Sequence, residues 1–180
     1  MEQGRQKVAF WLVPAADAKA YFESLINDLA ARLEAPAFEP HVTLQGAEME
    51  EGSAIELLDD IAAVSAPLQL DVDGVECSEK YTKTLYVQFR ASEEASGISD
   101  AVARAVGRRS GYKFDPHLSL LYKTMPEEVK KELARETQIP FARVSFDAVK
   151  LLSVPTAIKA PQDVHAWRII AERALTGRSR

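Results

Sequence analysis

Glu39-Pro40-His41-Val42-Thr43-Leu44 and Asp115-Pro116-His117-Leu118-Ser119-Leu120 follow one pattern: an acid, a proline, a histidine, an aliphatic residue, a hydroxyl residue and a leucine. The chain holds only three histidines, and two of them stand in these hexapeptides. Polar and apolar residues alternate in each, which predicts a strand with the histidine and the hydroxyl on one face. Two such strands could bring two imidazoles and two hydroxyls together at a single phosphate.

This set of side chains suits chemistry at a phosphodiester. An imidazole with a pKa of about 6.5 can serve as acid or base at neutral pH. The hydroxyls of Thr43 and Ser119 can donate hydrogen bonds to the non-bridging phosphate oxygens. The sequence therefore predicts His41 and His117 as the catalytic pair of a cyclic phosphodiesterase that needs no metal or other cofactor. The alternative for each hydroxyl is a cross-strand hydrogen bond without a catalytic role.

A metal site at His41 and His117 is the competing interpretation, with oxygen ligands from Glu39 and Asp115. Neither histidine stands in a His-x-x-x-His or cysteine-containing spacing. Both acids precede a proline, where the backbone is extended, so we interpret them as loop residues at the mouths of the strands. No metal ligand is predicted.

Several other residues are candidates for the same region. Tyr122, at the end of the second motif, could line the cleft and stack on a base or sugar, although a packed core aromatic is the alternative. Trp11 lies in an apolar run and is predicted to be core rather than a ligand contact. His165 has no hydroxyl two residues further on and is predicted to be a surface or structural residue. Three lysines that could add positive charge are interpreted as solvated by default: Lys80, Lys83 and Lys123.

The composition describes an ordinary soluble globular protein, with 47% hydrophobic and 27% charged residues. The net charge of −5 argues against a broad electrostatic contact with duplex DNA, but is compatible with a small nucleotide or a terminal phosphate. Cys77 is the only cysteine, which excludes an internal disulfide and a thiolate zinc cluster. Without a signal peptide or a membrane-spanning run, the protein is expected to be cytoplasmic, with a small-molecule partner and no membrane partner.

The hydrophobic periodicity predicts an α+β fold in which the order strand, helix, histidine strand, helix occurs twice. No linker divides the chain, so residues 1–180 are expected to form a single domain of two lobes. We also predict an N-cap at Asp17, a turn at Asp73-Gly74, a helix stop at Gly111, and a capping box formed by Thr124 and Glu127. The predicted strands lie at about 8–13, 39–46, 68–72, 83–90, 115–122, 144–148 and 167–171, and the predicted helices at about 17–33, 52–64, 94–109 and 124–137.

The tetrads His41-Val42-Thr43-Leu44 and His117-Leu118-Ser119-Leu120 resemble the signature of the two-histidine phosphoesterase superfamily. Pro116-His117-Leu118-Ser119-Leu120-Leu121-Tyr122 is similar to the second motif of the plant and yeast cyclic phosphodiesterase family. Phe10-Trp11-Leu12-Val13-Pro14, the stretch from Phe38 to Thr43, and Trp167 also resemble that family. The likeness in element order covers nearly the whole chain.

The resemblance implies a bilobal fold with two pseudo-symmetric antiparallel sheets around a water-filled cleft. It implies hydrolysis of ADP-ribose 1″,2″-cyclic phosphate to ADP-ribose 1″-phosphate, and of nucleoside 2′,3′-cyclic phosphates to 2′-phosphates. It further implies that His117 activates water, that His41 protonates the leaving oxygen, and that Thr43, Ser119 and Tyr122 contact the substrate.

The chain departs from the plant enzymes in two places. Those enzymes carry extra cysteines that can form disulfides, so redox control by an internal disulfide does not transfer to a chain with Cys77 alone. The sequence of the loop Glu76–Thr84 also differs from that of the plant enzymes, so the identity of the preferred leaving nucleotide does not transfer.

Two other functions remain open at this stage. One is an RNA 2′,3′-cyclic phosphodiesterase of the 2′-5′ RNA ligase-like branch, acting on RNA ends. It would need a basic track for several phosphates. The other is a non-catalytic nucleotide-binding module that retains the fold.

Overall fold

The computed structural model describes residues 4–107 and 113–178. Within these ranges the chain forms seven strands, which carry the β-branched and apolar runs of the sequence. The strands are β1 (Gln6–Pro14), β2 (Val42–Met49), β3 (Leu68–Cys77), β4 (Leu85–Phe89), β5 (His117–Leu121), β6 (Arg143–Ser153) and β7 (Arg168–Ala174).

Helices connect most of these strands and cover the sheet. A single 3₁₀ turn, Tyr81–Lys83, precedes β4. The α-helices of the described residues are α1 (Ala16–Leu33), α2 (Glu51–Val64), α3 (Glu93–Ala105), α4 (Glu127–Glu136) and α5 (Pro161–His165).

All strand pairings are antiparallel, and six of the strands close into a ring. β1 pairs with β2, β2 with β5, β5 with β4, β4 with β3, β3 with β6, and β6 again with β1. β7 adds to the outer side of β6. The prediction of an α+β fold with antiparallel pairing is confirmed. The two separate sheets are not found, because the β2–β5 and β3–β6 pairings join all strands into one.

The pairing pattern follows the internal repeat. One repeat is β1, α1, β2, α2, β3, and the other is β4, α3, β5, α4, β6. If β1, β2 and β3 are exchanged with β4, β5 and β6, the set of strand pairings in the ring stays the same. The helices obey the same exchange, since α1 packs on β5 while α3 packs on β2. The two histidine strands are direct neighbours, joined at Val42 and Leu118. This adjacency brings the two motifs together.

The core lies between the helices and the apolar face of the sheet. Its largest fully buried side chains include Phe10 from β1, Phe22 from α1, Phe89 from β4 and Phe146 from β6. The aliphatic residues of both motifs, Val42 among them, belong to this core. Burial of these residues fixes the register of each strand, because a slip of one residue would turn its apolar side chains to the other face.

Several element boundaries differ from the sequence prediction. Asp17 is not the N-cap of α1; Ala15 is, and Asp17 lies in the first turn, where its charge still favours the helix dipole. Thr124 forms no capping box, since α4 begins at Glu127 after Pro126. The turn expected at Asp73-Gly74 is instead a β-bulge, and β3 continues to Cys77.

The end of α3 also differs. The helix ends at Ala105, followed by Gly107 in the left-handed region at φ 72°. Glycine suits that conformation, so Gly107 has the role that was assigned to Gly111. Arg109 and Gly111 themselves lie outside the described residues.

The last part of the chain holds an element that the sequence prediction missed. Trp167 immediately precedes β7 rather than belonging to it, and the short helix α5 comes before it.

Within 4–107 and 113–178, none of the helices combines the length and apolar character needed to cross a bilayer.

Candidate active site

Both histidine motifs line one cleft of about 290 Å³ on the polar face of the sheet. All five site residues predicted from the sequence lie in its wall: His41, Thr43, His117, Ser119 and Tyr122. The remaining lining residues come from β1, β2, the 3₁₀ turn and the segment between β6 and β7: Lys7, Ala9, Trp11, Gly46, Thr82, Val154, Pro155, Ile158 and Trp167.

The two imidazoles are held in the same way. The Nδ1 atom of His41 lies 2.6 Å from the carbonyl oxygen of Glu39, and Nδ1 of His117 lies 2.9 Å from that of Asp115. A carbonyl oxygen can only accept a hydrogen bond, so each Nδ1 carries a proton and donates it. In the neutral ring the other nitrogen, Nε2, is then unprotonated and can act as a base or take up the proton of an acid.

The acid that opens each hexapeptide anchors the loop that holds its histidine. The Glu39 carboxylate accepts hydrogen bonds from Lys150 at 2.6 Å and contacts Lys19 at 2.8 Å. The Asp115 carboxylate accepts from Lys83 at 2.9 Å and from Gln88 at 2.8 Å. The carbonyl of the same acid orients the imidazole. Both acids lie in the loops before their strands, as interpreted from the sequence, and the repeated acid in the hexapeptide was the signal for their additional anchoring role.

These ion pairs are reflected in the pKa of both carboxyl groups. Burial alone would raise the pKa of Glu39, but the ammonium groups of Lys150 and Lys19 outweigh it and hold that pKa below its ordinary value. Lys83 lowers the pKa of Asp115 in the same way. Both acids therefore remain ionised while they anchor their loops.

His41 lies in an aromatic enclosure. Its ring stacks on Trp11 with 3.5 Å between ring centroids and 7° between planes, and the edges of Trp167 and Phe38 face it. The side chain is only 5% exposed. This burial lowers the pKa of His41 to about 4, because the protonated form loses its hydration.

His117 is more open than His41. One aromatic ring, that of Tyr86, meets it edge to face at 5.6 Å. Burial again lowers the pKa of His117, and the nearby Lys83 ammonium adds to the effect. Lys83 in turn lies 4.2 Å from the centre of the Tyr86 ring, a cation–π contact that keeps its charge beside the motif.

The two hydroxyls differ in their present partners. Thr43 is exposed in the cleft. Ser119 is buried and donates to the carbonyl oxygen of Thr82 at 2.8 Å. The Tyr122 hydroxyl is in hydrogen-bond contact with that of Ser119, and the Tyr122 ring stacks on Phe38 at 4.1 Å. Ser119 must therefore rotate away from Thr82 to donate to a phosphate oxygen.

Two aromatic residues contribute more to the site than their sequence positions indicated. Trp11 is buried in a hydrophobic cluster, as predicted, and it also lines the cleft and stacks on His41. Trp167 lines the cleft beside it, and its indole N–H is buried without a hydrogen-bond partner among the described residues. The unbroken apolar run around Trp11 carries no sequence signal for this position.

His165 and Lys123 lie outside the cleft wall. His165 is exposed at the end of α5 and is not part of the cleft wall. Lys123 donates to the carbonyl oxygen of Leu33. Within 4–107 and 113–178, no group of three or more histidine, cysteine or acidic residues is placed to hold a metal ion. The carboxylates that the metal interpretation required are bound by lysines instead.

An α+β fold whose antiparallel sheet brings two His-x-Thr/Ser motifs to one cleft is that of a two-histidine phosphoesterase. A family model described as "2'-5' RNA ligase superfamily" matches residues 7–155. The chain therefore belongs to the 2′-5′ RNA ligase superfamily of two-histidine phosphoesterases.

Known proteins agree with this placement. The chain is 23% identical to a cyclic phosphodiesterase of Arabidopsis thaliana over 133 residues, which cover 73% of this chain and 74% of the relative. Escherichia coli LigT, solved in complex with 3′-AMP, superposes with a TM-score of 0.61 at 16% identity, covering 96% of this chain and 99% of LigT. The protein TT0787 of Thermus thermophilus superposes with a TM-score of 0.64 at 13% identity, covering 96% and 100%. At such identities the structural matches establish the fold.

Proposed function

We propose that the protein hydrolyses cyclic phosphodiesters without a metal ion. The proposed reactions convert ADP-ribose 1″,2″-cyclic phosphate to ADP-ribose 1″-phosphate, and nucleoside 2′,3′-cyclic phosphates to nucleoside 2′-phosphates. The observation that carries the proposal is the matched pair of imidazoles. Each donates through Nδ1 to a backbone carbonyl, which leaves Nε2 available to the cleft. The distant likeness to a cyclic phosphodiesterase supports the same reaction.

The proposed mechanism is an in-line displacement at phosphorus. Water attacks the phosphorus atom while one histidine removes its proton, and the ring P–O bond breaks as the other histidine protonates the leaving oxygen. Thr43 and Ser119 donate hydrogen bonds to the non-bridging oxygens as negative charge develops there. The product is a phosphate monoester, and the proton taken from water balances the proton given to the leaving oxygen.

The order of the two roles is a separate part of the proposal. Resemblance to the superfamily assigns His117 as the base and His41 as the acid. The pKa of His41 in the free protein, about 4, favours the reverse order, because an acid must hold a proton at the start of the reaction. In the proposed order, the negative charge of the bound phosphate raises the pKa of His41, so that its imidazole is protonated when the reaction begins. A substrate whose leaving group needs no protonation decides between the two orders.

The test of the proposed function is turnover of adenosine 2′,3′-cyclic phosphate by the purified protein before and after treatment with EDTA. We expect the 2′-phosphate as product at an unchanged rate after chelation. Loss of activity on chelation, restored by one divalent metal, would contradict the metal-independent mechanism. Binding without turnover would instead favour a nucleotide-binding module.

RNA ends are the second candidate substrate class. The family description favours them, because it names an RNA reaction. Comparing turnover of a cyclic mononucleotide with that of a short RNA carrying the same cyclic end would separate the two substrate classes. A strong preference for the RNA would identify an RNA-end enzyme.

The proposal includes the two-lobed, duplicated form of the fold. It is supported by the ring of strand pairings, which is unchanged when the two repeats are exchanged.

A further inference from the structure

The cleft extends well beyond the histidines, along the first strand. Lys7, Ala9 and Trp11 occupy alternate positions of β1, and all three line the cleft. Trp11 stacks on His41 and marks the catalytic end. Lys7 lies four residues earlier, which places its backbone about 13 Å away along the strand. The side chain of Lys7 can bridge part of this distance.

Between these two ends the floor of the cleft is made of small residues. Ala9 on β1 pairs with Gly46 on β2, and both line the cleft. A Cβ atom added at Gly46 would meet only the Val8 carbonyl oxygen, at an ordinary contact distance of 3.7 Å. Protein atoms therefore leave the space above this pair open. Val154, Pro155 and Ile158 supply apolar lining from the segment after β6.

The cleft wall holds positive but no negative side chains. Among the described residues that line it, Lys7 carries an ammonium group, the two imidazoles can gain a proton, and none has a carboxylate. Lys7 pairs across the strands with the exposed Glu48. However, its ammonium group donates to the Thr156 carbonyl oxygen at 2.5 Å and takes part in no ion pair with a described acid. The chain as a whole has a net charge of −5, but the ammonium group of Lys7 makes the cleft a locally positive site that favours binding of an anion.

We propose that Lys7 binds a second phosphate of the substrate, one attached to the 5-carbon of the ribose that carries the cyclic phosphate. The ribose lies over Ala9 and Gly46, between the histidines and Lys7. ADP-ribose 1″,2″-cyclic phosphate carries a pyrophosphate at this carbon, and the cyclic end of an RNA carries a phosphodiester there. This inference rests on the proposed function and narrows its substrates to ribose cyclic phosphates that are also 5-phosphorylated.

The experiment uses two compounds that differ by one phosphate: adenosine 2′,3′-cyclic phosphate and its 5′-phosphorylated form. For the native protein we expect kcat/KM to be about 10-fold higher on the 5′-phosphorylated compound, the usual effect of one charge-assisted hydrogen bond. Lys7→Met should remove this preference by raising KM for the 5′-phosphorylated compound. The matched control is Lys159→Met, which removes a charge from an exposed lysine outside the cleft wall.

A second variant tests the position of the ribose without removing a charge. Gly46→Val has room in the strand but fills the floor, so it should raise KM for both compounds about equally and leave kcat close to native. Circular dichroism and the melting temperature check that each variant is folded. Assays with ADP-ribose 1″,2″-cyclic phosphate and with a cyclic-ended dinucleotide then identify which source of the 5-phosphate is preferred.

Equal kcat/KM for the two adenosine compounds in the native protein would overturn the inference. So would an equal loss on both with Lys7→Met, which would mean that Lys7 only anchors the segment at Thr156. Absence of turnover on every compound would refute the proposed function instead. In that case, the affinities of the same two compounds, measured by calorimetry, test the role of Lys7. Tighter binding of the 5′-phosphorylated compound by the native protein, lost in Lys7→Met, supports the phosphate subsite. Equal affinities of the native protein for the two compounds overturn it.

Discussion

The two repeats carry the same motif, the same Nδ1 hydrogen bond and the same pairing of an acid with a lysine, yet their surroundings differ. Around His41 the lysine is buried, with Lys150 only 3% exposed, and the imidazole is enclosed by aromatic rings. Around His117 the ion pair between Lys83 and Asp115 lies at the surface, with the Asp115 side chain 57% exposed. The motif therefore fixes the orientation of each imidazole, while its surroundings set how readily it is protonated.

Part of this difference arises from the end of the chain, which has no counterpart in the internal repeat. β7 follows the second repeat and pairs only with β6. It contributes Glu172, which contacts Lys150 at 2.9 Å, and Trp167 immediately before it faces His41. The His117 half has no equivalent strand among the described residues. β7 and the tryptophan before it thus add to the enclosure that Trp11 and Phe38 of the first repeat already form around His41.

The largest expected effect is on catalysis. Replacing His41 or His117 with alanine should lower kcat by about 10²- to 10⁴-fold, since each removes one acid–base group. His165→Ala is the matched control and should leave kcat unchanged, because His165 is exposed outside the cleft wall. Initial rates on a nucleoside 2′,3′-cyclic phosphate measure the effect, and circular dichroism checks the fold.

The same two variants separate the acid from the base. On a substrate with a leaving group that needs no protonation, the variant lacking the acid should recover activity markedly, and the other should not. Recovery of His41→Ala supports His41 as the acid, whereas recovery of His117→Ala reverses the roles. Near-native activity of either variant on the natural type of substrate would refute the two-histidine mechanism.

The second effect is on the free energy of unfolding, and it compares the replacement of Lys150 with that of Lys83. Lys150→Met removes the buried cation between Glu39, which keeps its contact with Lys19, and Glu172, and should lower the free energy of unfolding by about 1.5–3 kcal/mol. Lys83→Met breaks a more exposed pair and should cost less than about 1 kcal/mol. Denaturant unfolding of both variants gives the comparison. Equal losses would show that burial of the ion pair is not what distinguishes the two halves.

The third effect concerns the pH dependence of stability. The pKa of His41 falls from 6.5 in the unfolded chain to about 4 in the folded protein, so between these values the unfolded chain binds the proton more readily. Stability should therefore fall as the pH falls through this window, by up to about 3 kcal/mol, and the loss should level off below about pH 4. Chemical unfolding between pH 7 and 4 measures it.

A variant without the imidazole isolates this contribution. His41→Gln should remove that part of the pH dependence, while other groups, such as the Glu39 carboxyl, continue to titrate. His117→Gln removes a second lowered pKa and should also flatten the curve. A His41→Gln curve parallel to that of the native protein would contradict the aromatic enclosure as the cause of the lowered pKa.

Much of the site could be predicted from the sequence because it depends on local alternation. His41 with Thr43, and His117 with Ser119, share strand faces through the period of two residues, and the repeat indicated that the two strands meet. The closed ring could not be predicted in this way. It depends on which strand edges find each other, and the pairing of β1 with β6 joins residues as distant as Val8 and Ser153.

The missed features have a similar physical reason. Glu39 and Asp115 looked like loop residues because their partners, Lys150 and Lys83, lie far away in the sequence. Trp11 lies in an unbroken apolar run, where alternation gives no sign that one side chain faces a cleft. The sequence predicts a turn at Gly74 where the structure has a bulge, because glycine after aspartate favours both.

The ring of strands has a consequence for how the chain folds. β1 and β2 can pair early, across a connection that α1 shortens, but the other neighbour of β1 is β6, the last strand of the ring. The same strand also completes the pairing of β3. Until residues 143–153 have been synthesised, both β1 and β3 present an unpaired edge, which is a template for aggregation. The final closing step joins distant parts of the chain and should be slow, so docking of β6 is the step that covers the open edges of β1 and β3.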